Sequence, residues 1–452
     1  MSRYRFVHGS IAVVVAAGMA TASAAVLPSA ASAAARGGAK HLAQVPITMW
    51  TLSSDAAQQG VQQKVAEAFN KQYPGGDVTI DFAENTPYKT KISVAMSASH
   101  PPTIFYTWGG TLFDEWVKAG EVMPVSAALS ADPAWKKSYL PTAWSLVTYG
   151  HKIYGVPMTG PGVELLFENK AVLHQAGVAA NPATWTQLTS EIAAIKKKAI
   201  ASPIALAGAT EWPEMIWLQY LTLRYGGHSV FDNIAAGKHG AWNNPAILKA
   251  AAAVQSLARS GAFETGYSAV HYGAGATDEL MAAGKAAFQA MGNWDYANMT
   301  EYAPSFAKSP AYSAFKFPAV PGGKGNPNDF VGEASSFYAV AKNASPAQQK
   351  EAVAFIKYAT TSPMWNLNYL EKYGTAPVDV KYASDLPHYT GGAELLKFYD
   401  MAKTAPYLQD YWDQNLPSSV VTPMLTEIGE LFDLSITPQQ FVAAMDQVQA
   451  KQ

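Results

Sequence analysis

The chain of 452 residues contains no cysteine. Disulfides, thiolate metal sites and a catalytic thiol are therefore excluded, and a lipid-modified cysteine is not expected to anchor it. Arginine is nearly as scarce: beyond Arg36 only Arg224 and Arg259 occur. With a formal net charge of -2 and 15% charged residues, the chain has no basic surface of the kind that holds phosphate backbones, so neither nucleic acid nor a strongly anionic ligand is expected. Signatures of chemistry are missing too. There is no Gly-x-Ser-x-Gly, His-Glu-x-x-His or Walker-type Gly-Lys-Ser/Thr, and Gly273-Ala274-Gly275 lacks the third glycine of a dinucleotide loop. The nine histidines form no i, i+4 or His-x-His pair. No metal and no cofactor is expected.

A membrane span is also absent from the reading, although one apolar run comes near. Arg3 and Arg5 precede a run from Ile11 to about Leu27 that Gly18, Thr21 and Ser23 interrupt. It ends in Ala31-Ser32-Ala33, a small-x-small site before Ala34. This predicts a cleaved secretory signal over residues 1–33, and an exported, extracytoplasmic protein. About 420 residues follow, more than one core usually organises, so two domains are expected.

What the chain has in quantity is aromatic surface: 12 Trp, 23 Tyr and 18 Phe. The apolar pattern alternates between strand and helix periods. Strand-like Val45–Leu52, Val78–Phe82 and Thr103–Thr107 alternate with helical stretches Gln58–Tyr73, Pro87–Ser99 and one opening at Gly109-Gly110. This order predicts a parallel, doubly wound sheet, with a ligand crevice at the carboxyl ends of its strands. After the strand-like Lys152–Met158, Thr159-Gly160-Pro161-Gly162 reads as a crossing into a second α/β lobe. Lys285–Met291 reads as the return crossing, and a third is expected near Ser362. The expected division is 46–158 with 292–361 for the first lobe, and 163–287 with 364–452 for the second. The three crossings would form the hinge.

Several phrases then fall in a specific order: Ile47-Thr48-Met49-Trp50, Ala66-Glu67-Ala68-Phe69 with Tyr73-Pro74, Phe105-Tyr106-Thr107-Trp108-Gly109-Gly110, and Trp116–Val122 with Pro124. They continue with Phe167-Glu168-Asn169-Lys170, Ala176-Gly177-Val178, Pro182-Ala183-Thr184-Trp185, Gly284–Phe288 running to Trp294, Val331-Gly332 to Lys342-Asn343, and Glu351–Ile356. In this order the chain resembles extracellular solute-binding protein family 1, the maltose- and oligosaccharide-binding receptors of bacterial ABC importers. One departure is Pro102-Thr103, where the family commonly has Pro-Asp. The resemblance implies a type II periplasmic-binding-protein-like α/β fold of two lobes that close on a sugar or oligosaccharide. It also implies membrane permease subunits as partners and no catalysis; a monomer is expected.

A sugar offers hydroxyls at its edges and weakly apolar faces, which calls for flat aromatic rings beside carboxylates or amides. Trp294, next to Asp295, is the first candidate, and the resemblance implies that it stacks on sugar. Trp108 and Glu84 follow strands at the expected crevice, as does Ser53, with Ser54 and Asp55 beside it. Glu333 precedes the strand Ser336–Ala341. Trp212 would face from the second lobe, and Trp412 lies in the aromatic Tyr407–Trp412 segment. Core packing is the competing reading for each tryptophan, and solvation for each glutamate. Glu84 with Glu333 also leaves open a secreted glycoside hydrolase, whose carboxylate pair would sit among aromatics.

Overall fold

The structure is a computed structural model and describes residues 44–53, 56–73, 75–273, 275–388 and 391–452. The expected signal segment, residues 1–33, lies outside them, as do Ser54 and Asp55. In chain order the strands are β1 (Val45–Leu52), β2 (Gly76–Ala83), β3 (Ile104–Thr107), the hairpin β4 (Thr148–Tyr149) and β5 (Lys152–Ile153), and β6 (Gly155–Pro157). Then come β7 (Gly162–Asn169), β8 (Ser202–Ala205), β9 (Ala286–Gly292), β10 (Tyr312–Phe315), β11 (Phe330–Glu333), β12 (Phe337–Val340) and β13 (Leu408–Gln409).

They build two main sheets. The first runs β2-β1-β3-β12-β6. Its β2-β1-β3 part is parallel, as the alternating pattern requires, and the helices Ala56–Gln72 and Asn85–Ser97 make its crossovers. The strands β12 and β6 join antiparallel. The second sheet runs β13-β11-β7-β9-β8, with β10 also on β7, and mixes parallel with antiparallel pairs. Of the strands that take part in these antiparallel pairings, β6 and β12 in the first sheet and β7 and β11 in the second lead into or out of the other lobe.

Each sheet has its own core. Ile47, Phe69, Phe105, Phe337 and Phe355 belong to the first. Leu166, Trp217, Tyr220, Phe288 and Met424 belong to the second. The second is organised by the helix Trp212–Gly226, whose residues Pro213 to Arg224 are all buried. Helix ends are set by local chemistry. Thr184 with Gln187 and Ser345 with Gln348 form capping boxes that satisfy the first-turn N–H groups, and Pro346 stands in the first turn, where it costs no hydrogen bond.

The crossings differ from expectation in two of three places. Thr159–Gly162 does connect the sheets, between β6 and β7. Lys285–Met291 does not: β9 lies inside the second sheet, paired to β7 and β8. An apolar strand flanked by a glycine and a polar segment looks the same whether it crosses or stays. The return runs instead through Ala334–Ser336, between β11 and β12. Residues 292–331 accordingly pack on the second core, through Met299, Phe315, Phe317 and Val331. The third crossing comes after Val378 rather than near Ser362, because Trp365, Tyr369, Leu370 and Val378 remain in the first core while Leu386 and Leu395 lie in the second.

Arg224, 1% exposed, shows how a loop is fixed without regular structure. Its guanidinium donates to the carbonyls of Phe317, Pro318, Asn326 and Asp329 over 2.9 to 3.3 Å, and so pins the Pro/Gly-rich stretch against the helix. Arg224→Met is expected to lower unfolding free energy by about 3 kcal/mol or more in urea denaturation, since buried acceptors left unpaired cost about 1–3 kcal/mol each. A change under about 1 kcal/mol would show that water replaces these bonds freely.

Candidate ligand-binding site

Between the sheets lies a cavity of about 460 Å³. From the first lobe its wall takes Leu52 and Ser53 after β1, Glu84 after β2 and Trp108 after β3, the carboxyl ends of the parallel strands. Lys89 and Tyr106 add to this side. From the second lobe come Glu164 on β7, Trp212 at the start of its helix, Tyr272, Trp294 just after β9, and Tyr411. Glu333, last residue of β11, enters at the crossing. Trp294 is held between Trp212 and Tyr411, with ring centroids 6.4 and 6.2 Å away. Trp108 packs edge-on against Tyr106 at 4.9 Å.

The two sides also meet directly. Lys89 Nζ lies 2.7 Å from Asp413 Oδ2, Thr111 donates to the Asn415 carbonyl over 2.9 Å, and Ser418 Oγ donates to Glu115 over 3.1 Å. Gly110 permits this approach. Its φ is 71°, and a Cβ there would lie 2.5 Å from the Gln414 carbonyl oxygen.

The polar groups of the wall are unevenly satisfied. On β7, Glu168 accepts from Ser313 Oγ and the Asn181 N–H. Glu164, also buried, has the Tyr411 hydroxyl beside it but neither oxygen in good bonding geometry with a donor; Glu333 Oε2 likewise lacks a donor, and the Trp212 Nε1–H lacks an acceptor. Buried polar atoms are normally paired, so a group of exceptions facing one cavity needs a cause. Burial pushes the Glu164 carboxyl well above the usual carboxylate range; the Tyr411 hydroxyl opposes this, and the charges of Glu333 and Asp413 add to it. Burial likewise lifts Glu333 to about 7, with the Ser336 hydroxyl opposing and Asp410 and Asp413 assisting. Among the described residues no group of His, Asp and Glu is placed to hold a metal ion. The wall is thus apolar and flat in three places, with hydrogen-bonding groups between, which suits an uncharged, hydroxyl-rich solute.

The model of the bacterial extracellular solute-binding protein family matches residues 53–364. The chain belongs to that family. A solved structure from work on xylan utilization by the thermophilic bacterium Caldanaerobius polysaccharolyticus is similar to it, with a TM-score of 0.76 at 26% identity over 89% of this chain and 99% of that one. A chitin oligosaccharide binding protein gives 0.80 at 24% identity, over 90% and 98%. The xylose/arabinose-binding protein XacG of Haloferax volcanii is 23% identical over 57% of this chain; the match spans 55% of that protein's length. Members of this family are binding proteins, and the family name places them outside the cell. Among the described residues no helix is long and apolar enough to cross a membrane.

Of the candidates read from the sequence, Ser53, Glu84, Trp108, Trp212, Trp294 and Glu333 line the cavity. Trp412 does not. Its ring is fully buried in the second core, stacked on Phe231 at 5.9 Å and edge-on to Trp242 at 5.5 Å; its neighbour Tyr411 turns to the cavity instead. Asp295 is also misplaced. It opens the helix Asp295–Tyr302 with its side chain inward, where Gln289 Nε2 donates to it over 3.3 Å. Burial, with Asp278 and Glu164 nearby, raises its carboxyl well above the ordinary range. Sequence reading missed Glu164, Tyr411, Tyr272 and the Lys89–Asp413 pair. Glu164 had a signal, as a lone carboxylate in the otherwise apolar run Val163–Phe167.

The state of Glu333 has a measurable consequence. Protonated when folded and ionised in the ordinary range when unfolded, it keeps an extra proton in the native state up to about pH 7. Its contribution is complete below the ordinary carboxylate range and is lost as pH rises through about 7. Unfolding free energy from urea titrations at pH values between about 5 and 8 is expected to fall, and Glu333→Gln to remove part of that slope. An unchanged slope in the variant would mean that Glu333 does not titrate there.

Proposed function

We propose that this chain is the extracytoplasmic substrate-binding component of a carbohydrate ABC importer, exported and monomeric. It takes a sugar or oligosaccharide between its lobes by hinge closure and presents the loaded form to membrane permease subunits. The observation that carries this reading is the cavity wall itself, where Trp108, Trp212 and Trp294 stand with the buried carboxyl groups of Glu164 and Glu333. Rings cover the C–H faces of a pyranose, and carboxyl groups pair with its hydroxyls. The names of its relatives point the same way: chitin oligosaccharide, and xylose or arabinose.

On this reading Ser53, Glu84 and Trp108 hold the ligand from the first lobe and Trp212 and Trp294 from the second, with Glu333 at the crossing. Glu164 and Tyr411 are added to the set, and Asp295, turned into the core toward Gln289, leaves it. The hinge is the set of segments Thr159–Gly162, Ala334–Ser336 and the stretch after Val378, since a few residues between rigid bodies absorb such a rotation.

A thermal-shift panel of mono- and oligosaccharides identifies the ligand, because a solute that binds only the folded state raises the melting temperature. Trp294→Ala is expected to weaken that ligand by about ten- to hundredfold, as removal of one stacked, buried ring implies, while circular dichroism stays native. An unfolded variant would return Trp294 to the core. Chromatography of the sugar after incubation is expected to show no shorter products. Turnover abolished by Glu84→Gln or Glu333→Gln would instead establish the glycoside hydrolase.

A further inference from the structure

An uncharged, hydroxyl-rich solute satisfies the hydrogen bonds of the cavity wall but leaves its charge unbalanced. Five carboxyl groups line that wall, those of Glu84, Glu164, Glu211, Glu333 and Asp413, against Lys89 and the exposed His271. Among the described residues no other lysine or arginine reaches it. Lys89 is already committed, because its Nζ lies 2.7 Å from Asp413, whose side chain is only 5% exposed, and removing the partner of a buried charge is costly. Glu333 stands opposite Gly162 in the antiparallel β11–β7 pair. Glu164, two residues further along β7, therefore projects from the same face as Glu333 on the adjacent strand. The charge of Glu333 acts on Glu164, and the Tyr411 hydroxyl lies beside the latter, while Glu333 Oε2 has no donor. Glu211 lines the wall from a backbone at φ 64° and ψ −51°, which is strained for any residue but glycine. The wall thus holds a carboxylate where the turn itself calls for glycine.

We propose that the cavity takes a saccharide carrying a free amino group, and that Glu164 and Glu333 together receive its ammonium. This rests on the carbohydrate reading above and narrows its substrate class to amino sugars. Hydroxyls and an ammonium both donate to carboxylates, but a charged donor makes bonds about twice as strong as a neutral one. Only the ammonium also offsets the repulsion of two carboxylates on one face. The rings of Trp212 and Trp294 serve the same ligand, since an aromatic face attracts a cation as well as the C–H groups of a sugar. Binding then displaces a proton. Glu333, lifted to about 7 in the free protein chiefly by burial, ionises when the ammonium arrives, and its proton goes to solvent. The acids Glu164, Asp410 and Asp413 face it, with Lys89 and the hydroxyls of Tyr106, Tyr373 and Tyr411. Of these only Lys89 carries positive charge.

The test is calorimetric titration of the full chain at pH 6 with amino sugars and their hydroxyl counterparts of the same ring, linkage and length. The pairs are glucosamine with glucose, galactosamine with galactose, and glucosamine oligosaccharides of two to four units with cello-oligosaccharides. In at least one pair the amine-bearing member is expected to bind about ten- to hundredfold tighter. It should also release part of a proton, read as a dependence of the heat on the ionisation enthalpy of the buffer, where its counterpart releases none. Glu164→Gln and Glu333→Gln keep the shape and hydrogen-bonding capacity of the side chain and remove its charge. Each variant that folds is expected to lose about tenfold on the amino sugar and stay within about threefold on the counterpart, a split that a merely structural role does not produce. If a neutral saccharide of the thermal-shift panel binds and no amino sugar binds tighter than its counterpart, or if the variants weaken both members equally, the inference fails and the carbohydrate reading stands. If neither these pairs nor the wider panel binds, both fail.

Discussion

Behind Trp294 and Glu333, the Asn293 side chain accepts the Val163 N–H over 2.8 Å and donates to the Gly374 carbonyl over 2.8 Å. One buried amide, 1% exposed, thereby ties the start of β7 and the end of β9 to the chain that leaves the first core. The neighbouring strands close in as tightly: at Gly332 a Cβ would lie 2.2 Å from the Gly162 carbonyl oxygen. Trp365 Nε1 donates to the Met158 carbonyl over 2.8 Å just before the first crossing. The crossings are thus packed side by side, and the position of every cavity residue on one lobe relative to the other follows from this seam.

The seam also explains why the cavity can carry unpaired polar atoms. Ionising a buried carboxyl costs free energy, and burial disfavours the charged form of Glu164, with the Tyr411 hydroxyl opposing. Its surroundings are fixed by backbone pairing, since Glu164 sits opposite Gly292 in the β7–β9 ladder. A rigid frame holds these groups apart rather than letting them collapse on one another. On the proposed reading the ligand's hydroxyls supply the missing bonds, and part of its affinity is the relief of that cost.

Much of this was legible in the sequence where the signal is local. The strand Val45–Leu52 appears with the expected bounds, and Ser53, Glu84 and Trp108, read as strand-mouth residues, line the cavity. The rest turned on tertiary facts that periodicity does not encode. Lys285–Met291 has the composition of a crossing and of an interior strand alike, and only its pairing with β7 and β8 decides. Trp412 and Tyr411 are adjacent aromatics facing opposite ways; which one meets the ligand cavity depends on the pocket formed by Phe231 and Trp242 far away in the chain. The Lys89–Asp413 pair joins residues 324 positions apart, beyond the reach of any spacing rule.

The central claim is that the two lobes move about the seam and that a ligand favours their closed arrangement. Small-angle X-ray scattering of the protein with and without saturating saccharide measures this directly. The account predicts a larger radius of gyration for the free protein and a decrease on saturation, toward the value calculated from the arrangement in which Lys89 meets Asp413. An unchanged radius of gyration at proven saturation would contradict it, and would mean a preformed rigid pocket instead of a hinge.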